Sequence, residues 1–129
     1  MSFILVPQKG EDLQLNGWTW RPILELLRAE NLISDDNYER MGAQGCSGQV
    51  DDEVARRIAD AIDHKLAGMK PGERMLADLT STARPKSTYI FSPSMNPDDI
   101  DVNDIYSASY ESLVKFRDFC RSSCGFEVF

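Results

Sequence analysis

Apolar and polar positions along this chain change period several times, and each change marks an element. Phe3, Ile4, Leu5 and Val6 form a short apolar run that stops at Pro7, as in a strand. Leu13 and Leu15 alternate with polar neighbours, which predicts a second strand over 12–15. The turn-like Gln8, Lys9, Gly10 and Glu11 between them complete an N-terminal hairpin. Trp20, Ile23, Leu24 and Leu27 then recur at helical spacing and predict a first helix over 20–30. A proline costs little only in a helix's first turn, so this helix is expected to begin beside Pro22. Asn31 supplies a left-handed stop.

Ser34 reads as the cap of a short helix through Met41, with Asp35 and Asp36 at its positive end. Residues 42–48, rich in glycine, read as a loop. The strongest helical signal covers 52–67. Asp51 caps it, and Val54, Ala55, Ile58, Ala61, Ile62 and Leu66 make its apolar stripe. Asp52 with Arg56 and Glu53 with Arg57 are spaced to pair on its outer face, and Gly68 stops it.

Beyond the Pro71-Gly72 turn, 74–82 reads as an irregular strand and 87–91 as a plainer one. Residues 92–104 form a polar, acidic, proline-bearing loop. Ser107 or Ser109 can cap a last helix to about 123, with Tyr106, Tyr110, Leu113, Phe116 and Cys120 as apolar positions. Gly125 ends it, and 126–129 is a terminal strand. The predicted class is α+β: a single domain over 1–129, with three to four helices packed on a small, mostly antiparallel sheet in a single layer pair. Strands near the two termini are expected to be neighbours.

Composition narrows the partners. The 129 residues carry a net charge of −7, a field that repels nucleic acid and anionic membrane surfaces and favours a basic protein partner. The first residues have no positive flank and too short an apolar run for an export signal, and no run is long enough to span a membrane. Three cysteines without framework spacing read as free thiols in a reducing compartment, so a cytoplasmic location is expected.

The chemistry-bearing residues are few. The one histidine, His64, falls more than halfway round its helix from the apolar stripe, beside Asp60 and Asp63, and so is expected to face solvent. A catalytic reading would join Cys46 or Ser47 to His64 and Asp60, with the glycine loop folded back over that helix. The segment Gly45-Cys46-Ser47-Gly48 matches neither a nucleophile elbow nor a phosphate loop. Its place before a helix N-terminus would lower the Cys46 thiol pKa. For a metal, Cys120 and Cys124 lie four apart on one helical face and could bind zinc only if Cys46 and His64 joined them. Asp99, Asp101 and Asn103 match the opening of an EF-hand loop. The pattern then fails, with Asp104 at the glycine position and Tyr110 at the glutamate position. No cofactor is expected.

Ile100, Val102 and Ile105, set among Asp98, Asp99, Asp101 and Asp104, instead give apolar anchors within an acidic rim, a layout suited to protein binding. Trp18 is a further candidate partner contact, while Trp20 belongs to the apolar face of the first helix.

Two segments carry a resemblance. One is Trp18-Thr19-Trp20-Arg21-Pro22. The other runs from Tyr106 through Tyr110, Leu113, Phe116, Phe119, Cys120 and Arg121 to Gly125-Phe126-Glu127-Val128. Together they resemble a family of small bacterial proteins of about this length with no known activity. That resemblance implies a bacterial, cytoplasmic protein, and two glycines before the last strand where this chain has Cys124-Gly125. The reading that results is a non-enzymatic, acidic protein-binding module, of which a toxin-neutralising immunity protein is one version. The alternatives are a small enzyme or a weak metal binder.

Overall fold

A computed structural model describes residues 2–43, 47–83 and 106–129. Among the described residues, four helices pack on two antiparallel sheets, an α+β architecture. The strands are β1 (Ser2–Pro7), β2 (Leu13–Asn16), β3 (Gly48–Asp51), β4 (Arg74–Leu76), β5 (Ser81–Thr82), β6 (Ser107–Ser109) and β7 (Gly125–Val128). The helices are α1 (Gly17–Ala29), α2 (Asp35–Met41), α3 (Asp52–Ala67) and α4 (Tyr110–Ser122). The larger sheet has the order β2-β1-β7-β3 and the smaller one β5-β4-β6. The predicted hairpin is β1 with β2, and the predicted meeting of terminal strands is β1 with β7.

Alternation sets the register. Phe3 and Leu5 face inward opposite Leu15 and Val128, while Ile4 faces outward opposite Gln14 and Phe129. A slip of one residue would turn Phe3 and Leu5 to solvent. Ile4 and Phe129 exchange two backbone hydrogen bonds, of 3.1 and 2.8 Å, and remain 41% exposed.

Three strands run straight into helices, and in each case the last strand residue is the N-cap. Asn16 Oδ1 accepts from the Thr19 N–H at 2.8 Å, Asp51 Oδ1 from Val54 at 2.8 Å, and Ser109 Oγ from Ser112 at 3.1 Å. A β-region backbone is what an N-cap requires, so the strand conformation and the cap coincide. Ser34 caps α2 in the same way, without a strand before it.

The core joins the layers through aromatic rings. Trp20 meets Phe3 at 6.2 Å and Phe116 at 5.6 Å, and Phe126 meets Phe116 at 6.1 Å and Phe119 at 5.3 Å. The Trp20 indole N–H donates to the Met41 carbonyl at 2.8 Å, which ties α1 to the end of α2. Burial of a ring with its donor satisfied retains the full apolar gain, on the order of 2–3 kcal/mol.

The structure corrects several expectations. The first helix starts at Gly17, not at Trp20, because Asn16 caps it there; Pro22 lies a turn and a half inside. The 42–48 loop is shorter than expected, since Gly48 already belongs to β3. Residues 74–82 form a hairpin of two short strands in place of one irregular strand, and they build a second sheet with β6. Tyr106 precedes β6 and is not helical. Helix α4 ends at Ser122, so Cys124 lies in a left-handed turn (φ 58°) and does not share a helical face with Cys120. The strand expected over 87–91 and the loop over 92–104 lie outside the described residues.

Candidate functional site

The cap at Asn16 fixes the first turn of α1, and with it the directions of Trp18 and Trp20. Two residues apart on a helix point about 200° apart, so one tryptophan faces the core and the other solvent. Trp20 is the buried one. Trp18 is 52% exposed, the most exposed large apolar side chain among the described residues. Its indole stacks on the Tyr106 ring with centroids 5.1 Å apart and planes inclined by 30°. Tyr106 stands at the start of β6, and α1 packs against β6, so the two rings bridge that seam. Offset stacking of this kind holds an exposed ring in place. Pro22 has no N–H to donate to the Trp18 carbonyl, which therefore lacks its usual helical partner.

A second cluster lies between α1 and α2. The Tyr38 hydroxyl donates to the Glu25 carboxylate, which also pairs with Arg21 at 3.1 Å. The guanidinium of Arg28 lies 4.5 Å over the Tyr38 ring and that of Arg21 lies 5.7 Å from it. Burial, and then the bond to Glu25, raise the Tyr38 pKa above its ordinary value. Glu25 and Arg28 also line a shallow recess with Ala77, Asp78 and Leu79 of the β4–β5 turn.

A third cluster joins α3 to α4. Asp63 accepts from Arg117 at 2.8 Å and from Arg121, while Arg117 also reaches Asp118. The hydrogen bond from Arg117 holds the Asp63 carboxyl below the usual carboxylate value, and the same bond raises Arg117. Asp63 on α3 facing Arg117 and Arg121 on α4 makes this network a clasp between packed helices.

Among the described residues of the catalytic reading, no contact joins Ser47 to His64 or Asp60. Ser47 lines a shallow polar recess with Ser34, Asp36, Asn37 and Arg40 of α2 and Gln49 of β3. No residue of α3 lines that recess. His64 is exposed on α3, and no hydrogen bond or ion pair joins it to Asp60 among the described residues. Asp60 lies 3.9 Å from Arg121 instead. Cys46 is outside the described residues.

Of the metal candidates, Cys120 is fully buried, and desolvation pushes its thiol pKa well up, as for a small apolar core side chain. Cys124 is half-buried in its turn. Among the described residues, no three His, Cys, Asp or Glu side chains come together as a cation site. Asp98, Asp99, Asp101, Asn103 and Asp104 lie outside the described residues. No helix among those described is long and apolar enough to cross a membrane.

The sequence pointed to Trp18 but not to Tyr106, whose contact is made across the fold. The Arg21–Glu25 spacing was visible along α1, whereas Tyr38 reaches that pair only through the packing of α2 on α1. In comparisons with known protein families, curated proteins and solved structures, nothing matches the chain.

Proposed function

We propose that this chain is a non-enzymatic, cytoplasmic protein-binding module that engages a basic protein partner. The observation that carries this reading is the half-exposed Trp18 ring, held in place by Tyr106. A preordered aromatic side chain at the surface gives contact area at little entropic cost, as binding hot spots do. Charge supports the sign of the partner. Residues 92–104 contain four aspartates and no lysine or arginine, and they join the chain two positions before Tyr106. The contact surface on this reading comprises Trp18, Tyr106 and the carboxylates of Asp98, Asp99, Asp101 and Asp104. A toxin-neutralising immunity protein is the concrete version that size and charge favour.

The test is a capture from host extract with three baits: the native chain, Trp18→Ala, and a variant with all four aspartates changed to asparagine. A basic protein retained by the first and lost by both variants is expected. Its affinity should fall steeply with salt, because charged rims steer association. A complex indifferent to salt and to both variants would overturn the reading.

A further inference from the structure

We infer that the group recognised at Trp18 is an arginine guanidinium, stacked on the open face of the indole. This rests on the protein-binding reading and names the chemistry of its anchor. Trp18 offers an electron-rich ring face, 52% exposed, with Tyr106 stacked against the indole at 5.1 Å.

The ring quadrupole attracts a cation, most strongly for tryptophan. A guanidinium suits that face best. It is planar, so it stacks, and it holds five N–H donors at its edge, which stacking leaves free for other partners. An ammonium must give up its tighter hydration shell to meet a ring. The charge of the chain, −7 overall, agrees with a cationic group. Among the described residues, no arginine or lysine lies over the ring. Arg21, one turn along, pairs with Glu25 and lies over Tyr38, and Arg28 also lies over Tyr38.

The test uses two synthetic peptides of equal length and charge, one with arginines and one with lysines in a glycine background. Each is titrated into the full chain at low salt, and the two indole N–H signals are followed by NMR. Trp20 is an internal reference, since its N–H is buried and bonded to Met41. The arginine peptide should bind about fivefold tighter and should move the Trp18 signal alone. Trp18→Ala should bring the two peptides to equal affinity, and Trp18→Phe, which keeps a ring, should restore part of the preference.

Equal affinities in the native chain, or a preference that survives Trp18→Ala, would overturn the inference. If both peptides bind alike and both are lost when the four aspartates become asparagine, the arginine anchor falls while the basic-partner reading stands. If neither peptide binds, both fall.

Discussion

The side chain of Asn37 pairs with the backbone of Gln49 in both directions. Its Nδ2–H donates to the Gln49 carbonyl at 2.9 Å, and its Oδ1 accepts from the Gln49 N–H at 3.3 Å. Gln49 lies in β3, at one edge of the larger sheet, so a helix side chain occupies the place of a further strand. Unpaired strand edges invite association with other chains. Asn37→Ala should lower stability by about 1–2 kcal/mol, for two lost hydrogen bonds. Denaturant unfolding measures that cost, and light scattering at high concentration should show increased association. An unchanged midpoint would mean that water replaces the amide without loss.

The clasp between α3 and α4 gives a pH dependence. The folded-state pKa of Asp63 lies below its ordinary value of 3.8, mainly through the bond from Arg117. A depressed carboxylate contributes stability above the unfolded pKa and loses it as pH falls through the folded one. The native chain should therefore lose stability more steeply than Asp63→Asn as acid is added from 3.8 downward. Thermal unfolding across that range compares the two slopes, and parallel slopes would deny the clasp any linkage.

The turn before β7 contains adjoining left-handed residues, Cys124 at φ 58° and Gly125 at φ 105°. A Cβ at Gly125 would lie 2.8 Å from the Val50 carbonyl oxygen, with backbone atoms of Asp51 and Asp52 at 3.2 Å. Gly125→Ala should cost about 2–4 kcal/mol, from backbone strain and crowding together. Cys124→Gly acts in the opposite sense. It removes the strain of a side chain at positive φ and should raise stability by about 0.5–1 kcal/mol after the glycine entropy is deducted. The two glycines implied by the family resemblance would suit this geometry.

The thiols should differ in reactivity. Cys120 is fully buried and its pKa is pushed up by desolvation, while Cys124 is half-buried. With Cys46 changed to serine, one label should couple to the folded chain and a second only after unfolding. Mass spectrometry of the labelled protein counts both. Coupling at Cys120 in the folded chain would show that the core opens there.

What could be seen in the sequence follows from how local each signal is. The bounds of helix α3 were legible because its cap, its paired charges and its stop all lie within the segment, at Asp51, at Asp52 with Arg56, and at Gly68, although the buried stripe runs through Ala59 and leaves the expected Val54 and Ala61 only half-buried. The β1–β2 hairpin was legible for the same reason. Strands β3 and β6 were not, since four and three residues carry little pattern of their own. Their identity comes from distant partners, as when Gln49 meets Glu127 and Ala108 meets Met75. Pro22 misled because its cost is one hydrogen bond, which the Asn16 cap and the burial of Trp20 outweigh. For the candidate site, the Trp18 side of the stack was visible and the Tyr106 side was not, since only the packing of α1 on β6 brings them together.

The strand order β2-β1-β7-β3 also bears on how the chain is made. The element translated after all the others described is the one that sits between β1 and β3 and bonds to each. Until it emerges from the ribosome, the earlier strands have no common neighbour, and the larger sheet exists only as separate pieces. Synthesis thus delays the closing contacts until every other described element has been made, and Phe126 and Val128 act as the seal on an otherwise open interior.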